Sequence, residues 1–590
     1  MPRTFRFSSW VSLTLIIAYA VYFLRFLRLA SWQDDSLGLD DWDQHTFYLE
    51  AVVRSLRGLE IPFWNPYYKG GMPIFENPQI RIFTPTVWLG VLFGSLQGLK
   101  LSIPLYYLAG CLGSWYLFDR TLQAHPLVTA FCSVTFVFSG FMAQHMFAGH
   151  ANYMSVQLFP AIYACFHRFK TAGRAGFALA FSIFFAWVLW DGFVYGFLFL
   201  IFLYSVLGVL HFIQSPDLIT LRKLSLLAIL TLGFSAIRLI PAASFYVEQG
   251  AYFMPSGEIL GPWQILQTFL SHSQHPVLAR NFSPQAHNWW EYGNYVGFAP
   301  IVGLLLLLPF ARRKDIPIAA ATFLCLLLMA GEFHPFAPAS LLAQIPGFGG
   351  MRCHARWGIV VLFCGVVLLA SLVERARESI QWSARLALLF NGLLLVVFVY
   401  VAYDLRINRK PLNSVFETGV HARNLVFRKE KGIETVKTLP GYGAASSQYQ
   451  AMLNHLSMRE GYEMLSWPTR VSSIGEPGYR GEFYLMQMGR PVVPVSWSMN
   501  RLAFEVELDA PDILVVNQNF YRGWKASGDF TAESVDGLLG VRLKSGKNLL
   551  VLSYSSPFAV AGIAVTLVTL FGAIFLLWIR PRDPQFKSSQ

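Results

Sequence analysis

Charge is scarce in this chain. Asp, Glu, Lys and Arg make up only 14% of its 590 residues, against roughly a quarter in ordinary soluble domains. Hydrophobic residues reach 54%, aromatics 16%, and the mean hydropathy is +0.44. These values exclude a water-soluble globule, a disordered chain and a collagen-like fibre. Cysteine is also sparse. The six are Cys111, Cys132, Cys165, Cys325, Cys353 and Cys364, and no two form a C-x-x-C pair. All but Cys353 lie in apolar runs, so they read as small buried residues and not as a disulfide or zinc framework. No P-loop, no G-x-G-x-x-G after a strand, no G-x-S-x-G and no H-E-x-x-H occurs, which argues against ATP drive, dinucleotide chemistry and zincin hydrolysis. The formal net charge of +12 sits mainly between apolar runs, where orientation signals belong, so nucleic acid is not an expected partner.

What is present is a series of apolar runs long enough for membrane helices, each needing about 20 residues. They fall at 9–29, 99–118, 127–146, 151–169, 175–190, 193–213, 223–241, 296–311, 316–331, 356–373, 384–403 and 557–579. The stretch 86–97 reads as an extra interfacial or re-entrant helix. Twelve spans put both termini on one side. Lys and Arg recur in alternate connections, at Arg168/Lys170/Arg174, Arg222/Lys223, Arg312/Arg313/Lys314, Arg375/Arg377/Arg385 and Arg580/Arg582/Lys587. The positive-inside rule therefore predicts cytoplasmic termini and a multi-pass membrane protein with its large loops outside. The expected organisation is a transmembrane domain at 1–403, with outer loop 31–98, then an extracytoplasmic β-rich domain at 404–556, and a last helix with a short tail at 557–590. The β expectation rests on the alternating runs 501-RLAFEVEL-508, 512-DILVVNQ-518, 541-VRLK-544 and 548-NLLVLSY-554, punctuated by Gly537, Gly540 and Ser545-Gly546; such a pattern predicts an antiparallel sandwich.

The first outer loop reads 34-DDSLGLDDWDQHTFYLEAVVRSLRGLEIPFWNPYYKGGMPIFENPQ-79. Asp41 and Asp43 flank Trp42 at the head of an amphipathic stretch, where a carboxylate is favoured by the free N–H groups of a helix N-terminus. Capping and chemistry are both open roles for them. The run 62-PFWNPYYKGGMP-73 is too rich in Pro and Gly for a regular helix or central strand. It reads either as an anchored interfacial loop or as a shaped surface where Trp64, Asn65 and Tyr67 stack on and hydrogen-bond a sugar.

A short N-terminus, one helix and an outer loop with an acidic pair resemble the GT-C class of membrane glycosyltransferases. More narrowly, D-x-x-Q at Asp41–Gln44, Pro62, Trp64-Asn65-Pro66-Tyr67 and Gly70-Gly71-x-Pro73 resemble the YfhO-type bacterial family. The turn 139-SGFMAQHMFAGHANY-153, 293-GNYVG-297 and the ending 519-NFYRGWKA-526 with 540-GVRLKSGKNLLVLSY-554 extend the resemblance in order along nearly the whole chain. The segment 352-RCHAR-356 departs from the R-x-P-x-R of such relatives.

The resemblance implies transfer of a sugar from a polyprenyl-phosphate-linked donor to an envelope glycan or lipid acceptor. That reaction needs a base for the acceptor hydroxyl and cationic help for the departing phosphate. Asp41, in the D-x-x-Q motif, is the expected base, followed by Asp43 and Asp40. Arg238, Arg352, Arg356 and Arg28 lie near the outer ends of helices and are the expected phosphate ligands; the alternative for each is snorkelling to lipid headgroups. Glu76, Asn77, His145, His150 and Glu291 are the remaining candidates for sugar, acceptor or cation binding, and a divalent cation is left open. Asp191 reads as a turn residue. Two other functions compete: a transporter or flippase for lipid-linked glycans, and a non-catalytic envelope assembly protein.

Overall fold

The computed structural model describes residues 7–25, 41–249, 258–272, 274, 288–351, 353–379, 384–415, 437–439, 447–459, 467 and 470–579. The chain is a polytopic helical protein with a C-terminal β region. Seven helical stretches among the described residues are long and apolar enough to cross a membrane: Ser95–Thr121, Pro126–Ala148, Val194–Gln214, Leu218–Glu248, His354–Ser379, Arg385–Ser414 and Pro557–Trp578. Three shorter apolar helices, Ser9–Leu24, Ala175–Trp190 and Phe298–Phe310, add to them. The difference from twelve spans has local causes. The expected span at 151–169 opens as a 3-10 helix, Ala151–Leu158, before the α-helix Phe159–Ala172. The expected span at 316–331 is a 14-residue helix, Ile316–Met329.

Two adjustments of the helical pattern matter for the site. First, the apolar run 86–118 is a helical hairpin, Pro85–Phe93 and Ser95–Trp115, turning at Gly94 with φ +92°. Its arms touch through glycine: a Cβ on Gly98 would lie 2.4 Å from the Gly90 nitrogen. The short arm presents Trp88, Leu92 and Phe93 outward. Second, the span over 126–148 breaks at Phe138–Ser139 into Pro126–Val137 and Gly140–Ala148. The Gly140 N–H is taken by the Tyr295 carbonyl, which re-satisfies a donor freed by the break. All six cysteines are buried and unpaired, as the sequence suggests.

The β region carries two four-stranded sheets. One has the order Ala532–Val535, Leu538–Leu543, Asp512–Asn519, Phe483–Leu485; the other Ser496–Trp497, Arg501–Leu508, Gly546–Tyr554, Trp524–Ala526. Every pairing within them is antiparallel. Along Arg501–Leu508 the side chains at 502, 504, 506 and 508 are buried and those at 501, 505 and 507 exposed, the period-2 pattern of a sheet with one covered face.

The segment 62–77 is the seam between helices and sheets. Trp64 donates its indole N–H to Gln518 Oε1 at 2.9 Å, and its backbone N–H to Asn500 Oδ1 at 2.9 Å. Tyr67 and Lys69 exchange backbone hydrogen bonds with Met458. Asn519 donates to the Lys69 carbonyl at 2.6 Å, and Trp467 to the Gly71 carbonyl at 3.0 Å. Gly71 has φ +97°, and a Cβ there would strike the Trp64 ring at 2.5 Å, so both the turn and the tryptophan require glycine.

Candidate active site

Asp41 is the first residue of the helix Asp41–Arg57. That helix is placed by Trp42, whose indole N–H donates to the Met146 carbonyl at 2.8 Å. Gly149 ends the helix Gly140–Ala148 at φ +87°, and a Cβ on it would lie 2.3 Å from the Trp42 nitrogen. The close approach brings the next residue to Asp41: His150 Nε2 lies 3.3 Å from Asp41 Oδ2. Both side chains keep some solvent contact, 12% for His150 and 19% for Asp41. Behind them His145 Nδ1 faces His150 Nδ1 at 2.7 Å. His145 is fully buried, stacked on Tyr153 with ring centroids 4.2 Å apart.

The contact between two Nδ1 atoms requires one to donate and the other to accept. A neutral His150 with its proton on Nε2 donates to Asp41 and accepts from His145. That single assignment satisfies both contacts and gives a chain His145–His150–Asp41 ending at a part-exposed carboxylate.

The far wall is an ion pair. Arg356 Nε and Nη2 donate to the two oxygens of Glu291 at 2.6 Å each, with both side chains buried. The guanidinium also lies 4.5 Å from the Tyr195 ring centre and 5.4 Å from that of Tyr153. Burial alone raises the Glu291 carboxyl; Arg356 overrides it and holds the group far below the usual carboxylate range. The ion pair and the histidines are one site: one ligand atom each of His145, His150 and Glu291 lie within 4.8 Å of one another. Two imidazoles and a carboxylate suit a transition-metal ion. Each Glu291 oxygen already accepts one hydrogen bond from Arg356, so a cation there would share the carboxylate with that pair.

Other expected site residues have different places. Asp43 is buried, and its carboxylate accepts from the Ser447 hydroxyl and from the backbone N–H groups of Gln448 and Tyr449, at 2.7 and 3.2 Å for the latter two. It clamps the start of the helix Gln448–Leu453 and not that of its own helix, where the sequence left a capping role open. Burial pushes its pKa up and these hydrogen bonds pull it back only in part. Trp64, Asn65 and Tyr67 are buried in the seam, so their faces are covered and sugar stacking on them is not met. Arg238, fully buried, donates to four backbone carbonyls of the segment 74–80, those of Ile74, Phe75, Asn77 and Ile80. This corrects the expectation of phosphate binding there: four carbonyls already use its guanidinium as scaffold. Glu76 accepts from the Ser556 hydroxyl, and the Asn77 side-chain oxygen from the Gln79 N–H; both are fully buried at that node. Arg28, Asp40 and Arg352 lie outside the described residues.

Two residues of this region, His45 and Arg81, escaped the sequence reading. His45 stands four residues after Asp41 and so on the same helix face; it is buried, and burial with the charges of Arg81 and His150 holds its pKa well below the ordinary histidine value. Arg81 pairs with Asp191 at 3.1 Å, both buried, which makes Asp191 an ion-pair partner as well as a turn residue. The i, i+4 spacing of Asp41 and His45 was the available signal; no local spacing announces Arg81–Asp191.

No family model and no curated protein matches the chain. Among solved structures it is similar to the arabinofuranosyltransferase AftD from Mycobacteria, with TM-score 0.46 and 12% identity over 78% of this chain. It spans 32% of the AftD chain. It is also similar to ArnT from Cupriavidus metallidurans. The apo structure gives TM-score 0.43 and 13% identity over 76% of this chain and 87% of that one; the undecaprenyl phosphate complex gives 0.39 and 14% over 77% and 86%. All three comparisons lie below a TM-score of 0.5 and at 12%, 13% and 14% identity.

Proposed function

We propose that the chain is a membrane glycosyltransferase that moves a sugar from a polyprenyl-phosphate-linked donor to an envelope glycan or lipid on the extracytoplasmic side. The observation that carries the reading is the Asp41–His150 pair: a carboxylate at a helix start, part-exposed, backed by a buried histidine and walled by a buried Glu291–Arg356 pair. In this reading Asp41 takes the proton of the acceptor hydroxyl. The freed oxygen bonds to the anomeric carbon, and the carbon–oxygen bond to phosphate breaks with its electron pair leaving on the lipid phosphate. His150 orients the Asp41 carboxylate. Arg356, fixed by Glu291, supplies positive charge for the leaving phosphate, with Arg352 beside it in sequence.

The test compares envelope glycans by mass spectrometry in wild-type, deletion and Asp41→Asn-complemented strains, at equal membrane levels of protein. Loss of the same sugar mass in deletion and variant supports transfer at Asp41. Full restoration by the variant overturns the assignment and favours transport or assembly.

A further inference from the structure

The helix Gly358–Ser379 starts beside Arg356 and carries Arg375 near its other end. Arg375 follows Arg356 by 19 positions, about 28 Å of helix, close to the hydrocarbon thickness of a bilayer. Around Arg375 there is a cavity of about 360 Å³, within the range of small-ligand sites. Its walls are the terminal turns of several helices, and its lining includes Lys170, His167, His211 and Lys314 together with Arg375.

The charges in this cavity do not cancel. Three acids line it: Asp315, Glu374 and Glu378. Asp315 is paired with Arg375 at 2.7 Å. Glu374 is engaged by Arg377 and by the His125 N–H, and Glu378 by Arg312 at 3.7 Å; Arg312 and Arg377 are not in the lining. With the acids accounted for, the ammonium groups of Lys170 and Lys314 have no acidic partner among the described residues. Arg375 adds a second, independent sign. Its side chain is 6% exposed, it spends Nη2 on Asp315, and its Nη1 is buried without a hydrogen-bond partner. His167 Nδ1 is likewise buried without a partner. An unmet buried guanidinium donor is costly, and a ligand oxygen would meet it.

We propose that this cavity is a binding site for a phosphate-bearing anion, at the opposite end of the helical bundle from Asp41. Arg375 Nη1 and the Lys170 and Lys314 ammonium groups are the donors, and His167 and His211 complete the rim. A phosphate offers several acceptor oxygens to such a convergent donor set. The same chemistry is presented by free phosphate and by an anionic lipid headgroup.

The experiment uses the purified full-length chain. Inorganic phosphate is titrated calorimetrically into delipidated protein in detergent, and bound lipid is counted by native mass spectrometry after reconstitution in phosphatidylcholine nanodiscs with or without phosphatidylglycerol. The wild type and Lys170→Arg/Lys314→Arg are expected to bind one of the two probes, and Lys170→Ala/Lys314→Ala to bind it about tenfold more weakly, the loss expected for charge-assisted hydrogen bonds. Lys314 is exposed, so Lys314→Glu, which leaves the packing alone, has to weaken the same binding. Phosphate binding identifies a soluble ligand and phosphatidylglycerol retention a lipid. Binding of neither probe, or equal binding by the alanine variant, overturns the proposal. None of these readouts depends on glycosyl transfer.

Discussion

The segment 62–77 and the turn 139–153 carry comparable densities of aromatic and polar side chains, and both invite a reading as binding surfaces. They behave in opposite ways. In the first, side chains and carbonyls find partners in the β region or in Arg238: Trp64 with Gln518, Trp467 and Asn519 with the Gly71 and Lys69 carbonyls, Arg238 with the Ile74, Phe75 and Asn77 carbonyls. In the second, titratable side chains point at one another, His145 to His150 to Asp41, and the last two stay part-exposed. A polar group spent on backbone partners is scaffold, since a missing partner there costs stability. A chain of titratable groups that ends at solvent has somewhere to pass a proton.

The sharpest way to break this contrast is Asp41→Asn set against Trp64→Ala. Asp41→Asn is expected to lower transfer by about 10²–10⁴-fold, the usual range for removing a general base, with the unfolding midpoint nearly unchanged. Trp64→Ala is expected to lower folding stability by about 3–5 kcal/mol and the folded yield with it, with the surviving protein still active per molecule. Membrane protein levels and glycan mass in the same strains check both; a stable, inactive Trp64→Ala would erase the distinction.

Next in size is Glu291→Gln. It leaves the buried Arg356 guanidinium without its carboxylate, which costs about 3–5 kcal/mol when one partner of a buried pair is removed. Replacing both, as Glu291→Leu with Arg356→Met, is expected to recover most of that stability and none of the transfer. Denaturant unfolding in detergent and glycan analysis separate the two effects. Arg356 and Arg238 are both buried arginines, yet one has a single ionised partner and the other four neutral ones. Only the first pair is expected to show this recovery.

Gly149→Ala follows, at about 2–4 kcal/mol from the left-handed backbone and the contact with Trp42. Its effect on transfer should exceed its effect on folding, because the displaced atoms are those that hold Asp41 against His150. A KM near wild type with kcat lowered about 10²-fold, as misplacement of a reacting group produces, is the expected signature.

Much of this molecule was legible in the sequence. Composition and apolar run length pointed to the membrane helices, and period-2 alternation located the strands at 501–508, 512–519 and 546–554. Asp41, His145, His150, Glu291 and Arg356 were each named and the structure gathers them. What misled was residue type read without partners. Trp64 and Tyr67 have the chemistry of a sugar platform, but Gln518, Asn500 and Met458, more than 380 residues away in sequence, cover them. Arg238 carries a charge in an apolar run, and its partners are main-chain carbonyls, which no side-chain pattern reveals. Arg81 and Asp191 meet across 110 residues, with nothing local to mark either.

The smallest expected effect tests the scaffold side through pH. Glu76 is fully buried in the seam beside Ser556 and Arg238. Burial pushes its carboxyl up to about 7 from an ordinary 4.5, against the pull of Ser556 and Arg238. Between those two values the folded chain holds a proton that the unfolded chain has released. Stability therefore falls as pH rises through that window and levels off above it. The part owed to Glu76 is about 1–3 kcal/mol. Glu76→Gln keeps the shape and cannot ionise, so its unfolding midpoint should be flatter between pH 4.5 and 7 and higher than wild type at pH 8. Urea unfolding across that range decides the matter: a wild-type slope unchanged by Glu76→Gln would mean that Arg238 keeps Glu76 ionised, and that this corner of the seam is held by charge and not by hydrogen bonds to carbonyls alone.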